Sequence, residues 1–273
     1  MNDVGRAPFF NRTALAIWIA ATFGAACVLP YVNALTPDML RAASVKLGAP
    51  VSVVIAISLV QSAITLGLLS YTGLWAARKL GLGAPLLDAW LTRGAAAPSA
   101  ARRGALVAIV AGLASGLALS ALDIGVFSPM SPDGVGRLLH QPQPSPLIGF
   151  LASFEGGITE EVELRLFLLS FLALGLRYVG TRGKGGPLSA GVFWSANIVA
   201  AVLFGLGHLP ITAKLVPLTP IIVARAITLN GIVGLVAGSL YRRRGIEMAM
   251  LCHFSADLVL HVALPPLIPL LSG

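Results

Sequence analysis

The chain has 273 residues, of which 56% are hydrophobic and 11% charged, and its mean hydropathy is +0.87. These values exclude an ordinary soluble domain and predict a multi-span membrane protein. The net charge of +8 does not indicate a nucleic-acid-binding protein, because Lys and Arg form short clusters between apolar runs instead of one basic face. Cys27 and Cys252 both lie in apolar runs, so neither a disulfide framework nor a Cys-rich metal site is indicated.

Seven apolar runs are each long enough to cross a hydrocarbon core about 30 Å thick. The predicted spans are 13–33, 51–73, 104–124, 147–176, 188–209, 220–240 and 246–268. The fold class is therefore all-α, a polytopic transmembrane helical bundle of about seven spans. The connection 81–103 is predicted to be a loop, and the Pro-rich connection 129–146 an ordered or re-entrant loop.

The Lys and Arg residues between these spans alternate in number. Thirteen of the nineteen fall on one side of the predicted bundle and four on the other, while Arg165 and Arg225 lie within spans. By the positive-inside rule, the N-terminus is cytoplasmic and the C-terminus is outside. In the sixth span, Gly231, Gly234 and Gly238 mark a face that can approach a neighbouring helix closely.

The fourth span contains five ionisable side chains within eleven positions, namely Glu155, Glu160, Glu161, Glu163 and Arg165. Each charge near a bilayer centre costs about 2.5–3.5 kcal/mol on the mildest scale, so the cluster favours a function. The alternative is a buried ion-pair cluster that only ties helices together.

Helical spacing separates the two adjacent glutamates of this cluster. Glu161 has Arg165 four residues later, on the same face, so this pair can be neutralised within its own helix. Glu160 has no such partner, and Gly156 and Gly157 one turn earlier are expected to leave open space for a water or a substrate backbone. We therefore assign general-base chemistry to Glu160. Glu155 and Glu163 receive no role.

Two further spans carry histidines. His208 lies near the end of the fifth span, and His253 lies early in the seventh, with Asp257 and His261 following on the same helical stripe. A lone membrane histidine can simply be hydrogen-bonded to a neighbouring backbone. The predicted boundaries place His208 nearer the outer surface and His253 nearer the inner one. A single site therefore requires that the boundaries shift by a turn, or that the fifth helix continues past Pro210.

Three motifs occur in order in separate spans. They are EExxxR in the fourth, FxxxH in the fifth and HxxxN/D in the seventh, at Glu160-Glu161-Val-Glu-Leu-Arg165, Phe204-Gly-Leu-Gly-His208 and His253-Phe-Ser-Ala-Asp257. In these motifs the chain resembles the CAAX-protease and bacteriocin-processing family, also called CPBP or ABI, which includes the type II CAAX prenyl endopeptidases. The resemblance covers about 150–261.

This resemblance implies peptide-bond hydrolysis in a cavity between the later helices of an all-α membrane protein. It implies that Glu160 and His208 activate a water, and that His253 and Asp257 stabilise the oxyanion. Asp257 stands where many members have Asn, so it must be protonated or act indirectly by holding His253 as an imidazolium. Structural support is assigned to Glu161, Arg165 and Phe204. The chain would then divide into N-terminal helices without motif, 1–146, and a catalytic core, 147–273.

No cofactor is favoured, and the family's frequent label of metalloprotease leaves zinc as an alternative. The sequence contains no HExxH motif, and a zinc ion would require Glu160, His208 and His253 to converge through tertiary packing. A proton-coupled transporter is disfavoured by the absence of internal repeats. A catalytically dead scaffold is disfavoured by the intact motifs, and a cysteine protease by the different directions of Cys252 and His253.

The expected partners are the lipid bilayer and a membrane-associated peptide or protein substrate, with no nucleic acid. The Ala-, Gly- and Arg-rich composition indicates a bacterial inner-membrane protein. The sequence selects neither the substrate, prenylated or not, nor the oligomeric state.

Overall fold

A computed structural model describes residues 10–93, 99–140, 143–181 and 186–268. Helices dominate these ranges and no strand occurs in them, so the all-α prediction is confirmed. The α-helices of the described ranges, in chain order, are α1 (Phe10–Cys27), α2 (Leu29–Leu35), α3 (Pro37–Leu47), α4 (Val51–Lys79), α5 (Pro85–Arg93), α6 (Ser99–Leu122), α7 (Ser128–Met130), α8 (Arg137–His140), α9 (Pro146–Phe154), α10 (Ser170–Gly180), α11 (Ala190–Gly207), α12 (Leu209–Leu215), α13 (Pro220–Arg244) and α14 (Ile246–Asp257). Wider, π-helical turns occupy Asp123–Phe127, Pro132–Gly136, Glu155–Glu160, Val162–Leu169 and Leu258–Ala263.

Six helical runs in the described ranges are long and apolar enough to cross a membrane. They are Phe10–Leu35, Val51–Lys79, Ala101–Met130, Ala190–Leu215, Pro220–Arg244 and Ile246–Ala263. Each corresponds to one of the predicted spans, and the chain is an integral membrane protein. The remaining predicted span, 147–176, is helical but is not among the six, since it carries more charge than an ordinary span.

The charged run forms a helix from 146 to 180, which we call the motif helix. It consists of α9, two π-helical segments and α10. Ser145 caps its start, because its side-chain oxygen accepts a hydrogen bond from the Ile148 amide at 3.4 Å. The π-helical turns contain the acidic cluster, and such turns inside helices frequently occur at functional sites.

The motif helix lies at the centre of the bundle. On one side the Thr159 hydroxyl donates a hydrogen bond of 2.8 Å to the Ala21 carbonyl of α1. On another side Gly73 of α4 lies so close to the motif helix that a Cβ there would come within 2.9 Å of its backbone. On a third side Gly157 packs against Phe254 of α14. Thr159, Glu161 and Arg165 of the motif helix are buried among these helices.

The glycine face predicted for the sixth span packs α13 against α11. A Cβ at Gly238 would overlap the side-chain oxygen of Asn197, and one at Gly234 would lie 3.1 Å from the Ala201 Cβ. Gly231 is less tightly packed, with its nearest neighbour at 4.0 Å. This close packing holds the end of α11, which carries His208, against the bundle.

Two connections that the sequence predicted as loops contain helices. The first, 81–103, includes α5, whose first turn begins at Pro85. One oxygen of Glu247, on α14, accepts hydrogen bonds from the Leu86 and Leu87 amides, both at 2.9 Å, and so satisfies two N–H groups that a helix start leaves free. The second, 129–146, includes α8 and a π-helical segment with a fully buried Val135, and residues 141–142 lie outside the described ranges.

Candidate active site

Glu160 lies between the two histidines of the sequence motifs. Its Oε1 is 3.6 Å from Nε2 of His208, and its Oε2 is 3.7 Å from Nε2 of His253. These separations exceed a direct hydrogen bond, but a water can bridge groups at such distances. Three side chains from the motif helix, the end of α11 and α14 thus surround one small polar space.

The expected difference in depth between His208 and His253 is resolved by the path of the fifth span. Helix α11 ends at Gly207, and α12 continues from Leu209 with Pro210 in its first turn, so that the span extends to Leu215. His208 therefore lies at a junction inside the span. Of the two explanations that the sequence left open, continuation of the helix past Pro210 is the one observed.

The ring of His208 is oriented by its own helix. Its Nδ1 is 3.0 Å from the carbonyl oxygen of Phe204. Because a carbonyl only accepts hydrogen bonds, Nδ1 carries the proton, and Nε2 of the neutral ring is left as an acceptor facing Glu160. The side chain of His208 is 33% exposed, so it is not sealed inside the bundle.

His253 is oriented by a residue of another helix. Its Nδ1 donates a hydrogen bond of 2.8 Å to Oε1 of Glu161, and the same oxygen is 2.8 Å from Nη1 of Arg165. Glu161 and Arg165 are fully buried. The pair predicted within the motif helix is therefore present, and it also fixes the imidazole of His253 so that Nε2 faces Glu160.

Phe204 packs against the Arg165 guanidinium and against both imidazoles. Its ring centroid is 4.9 Å from that of His208 and 5.6 Å from that of His253, and the Arg165 guanidinium lies over the ring at 5.0 Å. A cation over an aromatic face is attracted by the ring quadrupole. The aromatic position of the FxxxH motif thus separates Arg165 from the polar space beside Glu160.

The glycines before Glu160 do not leave open space, contrary to the expectation from the sequence. A Cβ at Gly156 would overlap Oδ2 of Asp257 and lie 3.3 Å from Nε2 of His253, and one at Gly157 would lie 2.6 Å from the Cβ of Phe254. The two glycines instead allow α14 to approach the motif helix closely. This close approach is what brings His253 and Asp257 to Glu160.

Residues 142–259 match the family model described as Type II CAAX prenyl endopeptidase Rce1-like. This segment belongs to the CAAX-protease family. The protein is accordingly a membrane peptidase similar to the type II CAAX prenyl endopeptidases. Comparisons with curated proteins and with solved structures found no match. The matched range includes every motif residue described above.

Two residues beside the candidate active site, His261 and Tyr31, lie outside the matched range. Oδ1 of Asp257 is 3.8 Å from Nε2 of His253 and 4.0 Å from Nε2 of His261. Nδ1 of His261 is in turn 3.0 Å from the Tyr31 hydroxyl on α2. The helical stripe of the seventh span indicated His261, but no local pattern indicated Tyr31, which approaches from 230 positions away in the chain.

The two other acids of the motif helix, Glu155 and Glu163, do not contact the histidines of the candidate active site through a hydrogen bond or an ion pair in the described residues. Within the described residues, neither Glu155 nor Glu163 forms a hydrogen bond or an ion pair. Both side chains are half-buried. Cys252 is buried in α14, with 1% of its surface exposed, which gives a thiol nucleophile no access to substrate.

The zinc alternative would require Glu160, His208 and His253 as ligands. Among the described ranges, no group of three His, Cys, Asp or Glu side chains is arranged to hold a metal ion. The candidate ligands Glu160, His208 and His253 are close neighbours, and Nε2 of both histidines faces Glu160. Nδ1 of each histidine faces an oxygen acceptor, as it also does in histidines that ligate a metal.

Proposed function

We propose that this protein is an intramembrane endopeptidase that hydrolyses a peptide bond with a water held between Glu160 and His208. The observation that supports this proposal is the placement of the two oxygens of Glu160, which face Nε2 of His208 and Nε2 of His253 at 3.6 and 3.7 Å. These separations are short enough for one water to bridge Glu160 and His208.

In the first step, Glu160 accepts a proton from the water as the water oxygen attacks the scissile carbonyl carbon. Nε2 of His208 accepts the second hydrogen bond of this water and orients it, since Nδ1 of the same ring is occupied by the Phe204 carbonyl. When the tetrahedral intermediate collapses, the C–N bond breaks and Glu160 returns its proton to the leaving amine. No metal is required for either step.

The negative oxygen of the intermediate is stabilised by His253. In this scheme the ring carries a proton on each nitrogen, with Glu161 accepting from Nδ1–H and Asp257 lying near Nε2. Nε2–H then donates a hydrogen bond to the oxyanion. Asp257 acts indirectly in this scheme, which removes the difficulty of a carboxylate that faces an oxyanion.

Substitution of the proposed base tests this function. Glu160→Gln and His208→Ala should each lower kcat by about 10²–10⁴-fold, the usual contribution of general acid–base catalysis. Glu163→Gln is the matched control, because it makes the same change on the same helix at a carboxyl group with no hydrogen bond or ion pair in the described residues. Hydrolysis that persists in purified, folded Glu160→Gln protein would contradict the proposal.

We further propose that the substrate is a membrane-associated peptide or protein. The Glu160→Gln protein should retain bound substrate, which mass spectrometry can identify after purification from the native membrane. The identified peptide is then synthesised with and without a prenyl group. The KM values of the two forms show whether the lipid chain contributes to binding. Loss of peptide binding together with hydrolysis would show that Glu160 serves binding instead.

The proposed location is the bacterial plasma membrane with a cytoplasmic N-terminus, on the basis of the Lys and Arg distribution. Reporter fusions after Arg93 and after His140 should report opposite sides of the membrane. A reporter after Arg93 that is active outside the cytoplasm would reverse this orientation.

A further inference from the structure

His261 is held from two sides at the edge of the proposed oxyanion pocket. The Tyr31 ring packs edge-on against the imidazole, with 5.2 Å between ring centroids, and the Tyr31 hydroxyl is 3.0 Å from Nδ1. On the other side, a Cβ at Gly149 would overlap the carbonyl oxygen of His261 and lie 3.3 Å from its Cβ. The ring is therefore positioned by α2, and the backbone that carries it is packed against α9.

The hydrogen-bond partners of His261 determine where its ring proton lies. Nε2 faces Oδ1 of Asp257 at 4.0 Å, close enough for one bridging water or a small side-chain movement. An ionised carboxylate only accepts hydrogen bonds, so the neutral ring presents a proton at Nε2 and accepts at Nδ1 from the Tyr31 hydroxyl. The Tyr31 hydroxyl can donate to Nδ1 in this form, so its contact is compatible with a His261 ring that donates from Nε2 towards Asp257.

Asp257 itself has little freedom to move. Its Oδ2 lies against Gly156 of the motif helix, where even a methyl group would overlap it. Its Oδ1 lies between the Nε2 atoms of His253 and His261, at 3.8 and 4.0 Å. A carboxyl group at this position offers no N–H donor of its own, unlike an amide, and it therefore depends on donors around it.

We propose that His261, fixed by Tyr31, is a positioning residue that holds the carboxyl group of Asp257 beside His253 in the proposed oxyanion pocket. The proposal rests on the proposed function, and it extends the site to two residues outside the family match. It predicts that hydrolysis depends on His261 because residue 257 is an acid. Hydrolysis should depend much less on His261 when residue 257 is an amide.

Nuclear magnetic resonance tests the contacts without any substrate. The chain has four histidines, so the ring ¹⁵N signals of a histidine-labelled protein are few, and comparison with His261→Gln assigns those of His261. Tyr31→Phe should shift the Nδ1 signal of His261, and Asp257→Asn should shift its Nε2 signal. Tyr178→Phe, at a tyrosine that is 68% exposed, should shift neither. Unchanged His261 signals in both test variants would overturn the proposal, whether or not the protein hydrolyses peptides.

Hydrolysis of the trapped peptide tests the role. His261→Leu should lower kcat by roughly 10²-fold with little change in KM, because a small misplacement of a group near the reacting atoms costs about that much. His261→Gln, which keeps an N–H donor near the Nε2 position, should recover most of this loss. In an Asp257→Asn background, which supplies an amide donor, His261→Leu should cost less than about threefold. If His261→Leu lowered kcat equally in both backgrounds, His261 would be only a structural residue and the proposal would be wrong. If the wild-type protein did not hydrolyse the peptide, the proposed function alone would be refuted.

Discussion

Glu161 accepts a hydrogen bond of 2.8 Å from Nδ1 of His253, and through this contact the ion pair of the motif helix reaches the candidate active site. The same oxygen of Glu161 neutralises Arg165, and both residues of the pair are buried. One carboxylate therefore serves stability and orientation at once. The two roles can be separated by mutation.

Glu161→Gln should destabilise the protein by about 3–5 kcal/mol, because it leaves the buried charge of Arg165 without a partner. The double variant Glu161→Gln with Arg165→Met removes both charges and should recover much of that stability. Its activity should remain low, since His253 has lost the carboxylate that orients it. Thermal unfolding in detergent and kcat, measured on the single and double variants, check the two parts. Recovery of activity together with stability would show that Glu161 acts only as a partner of Arg165.

Gly156→Ala should lower kcat by about 10²-fold, because its methyl group would displace Asp257 or widen the gap between the motif helix and α14. Overpacking at this position should also cost about 1–3 kcal/mol of stability. Gly175→Ala is the matched control on the same helix, where nothing lies within 4 Å of the new methyl group. That control should keep full activity and gain about 0.5–1 kcal/mol from better helix propensity. Equal activities of the two variants would contradict the close approach at Gly156.

The spans could be predicted from the sequence because lipid requires long apolar runs, and those runs are local features. The connections could not be predicted in the same way. Helix α5 is short, and its first turn is stabilised by Glu247, which lies about 160 positions later in the chain. No pattern within 81–103 contains that information. The bounds of the membrane-spanning helices can therefore be predicted from the sequence better than those of the helices in the connections.

The site shows the same division between local and distant contacts. The pair of Glu161 with Arg165 follows from a spacing of four residues, and it could be predicted. The hydrogen bond of Glu161 with His253 joins residues 92 positions apart, and it depends on how the motif helix packs against α14. The sequence predicts open space beside the glycines of this interface, because a sequence does not show which neighbour fills the position of a missing side chain.

A second ion pair, outside the site, should contribute to stability but not to catalysis. Arg225 of α13 donates two hydrogen bonds of 2.6 Å to the two oxygens of Asp123, in the π-helical turns after α6. Both side chains are mostly buried. Arg225→Met or Asp123→Asn alone should each lower the free energy of unfolding by about 3–5 kcal/mol, and the double variant by clearly less than their sum. At temperatures where each variant is folded, kcat should equal that of the wild type, and a kcat that falls with the pair would connect it to the site.

Removal of metal should leave hydrolysis intact, because the proposed mechanism needs only Glu160, His208 and His253 as reacting or stabilising groups. Protein purified without added zinc and dialysed against a chelator should contain far less than one equivalent of zinc and keep its kcat. Glu160→Gln protein should be inactive both with and without added zinc, which controls for a metal contaminant that hydrolyses the peptide on its own. Metal content measured by mass spectrometry and kcat must be followed on the same samples. Stoichiometric zinc that is lost together with activity, and restored with it, would replace the proposed water activation by a zinc-dependent one.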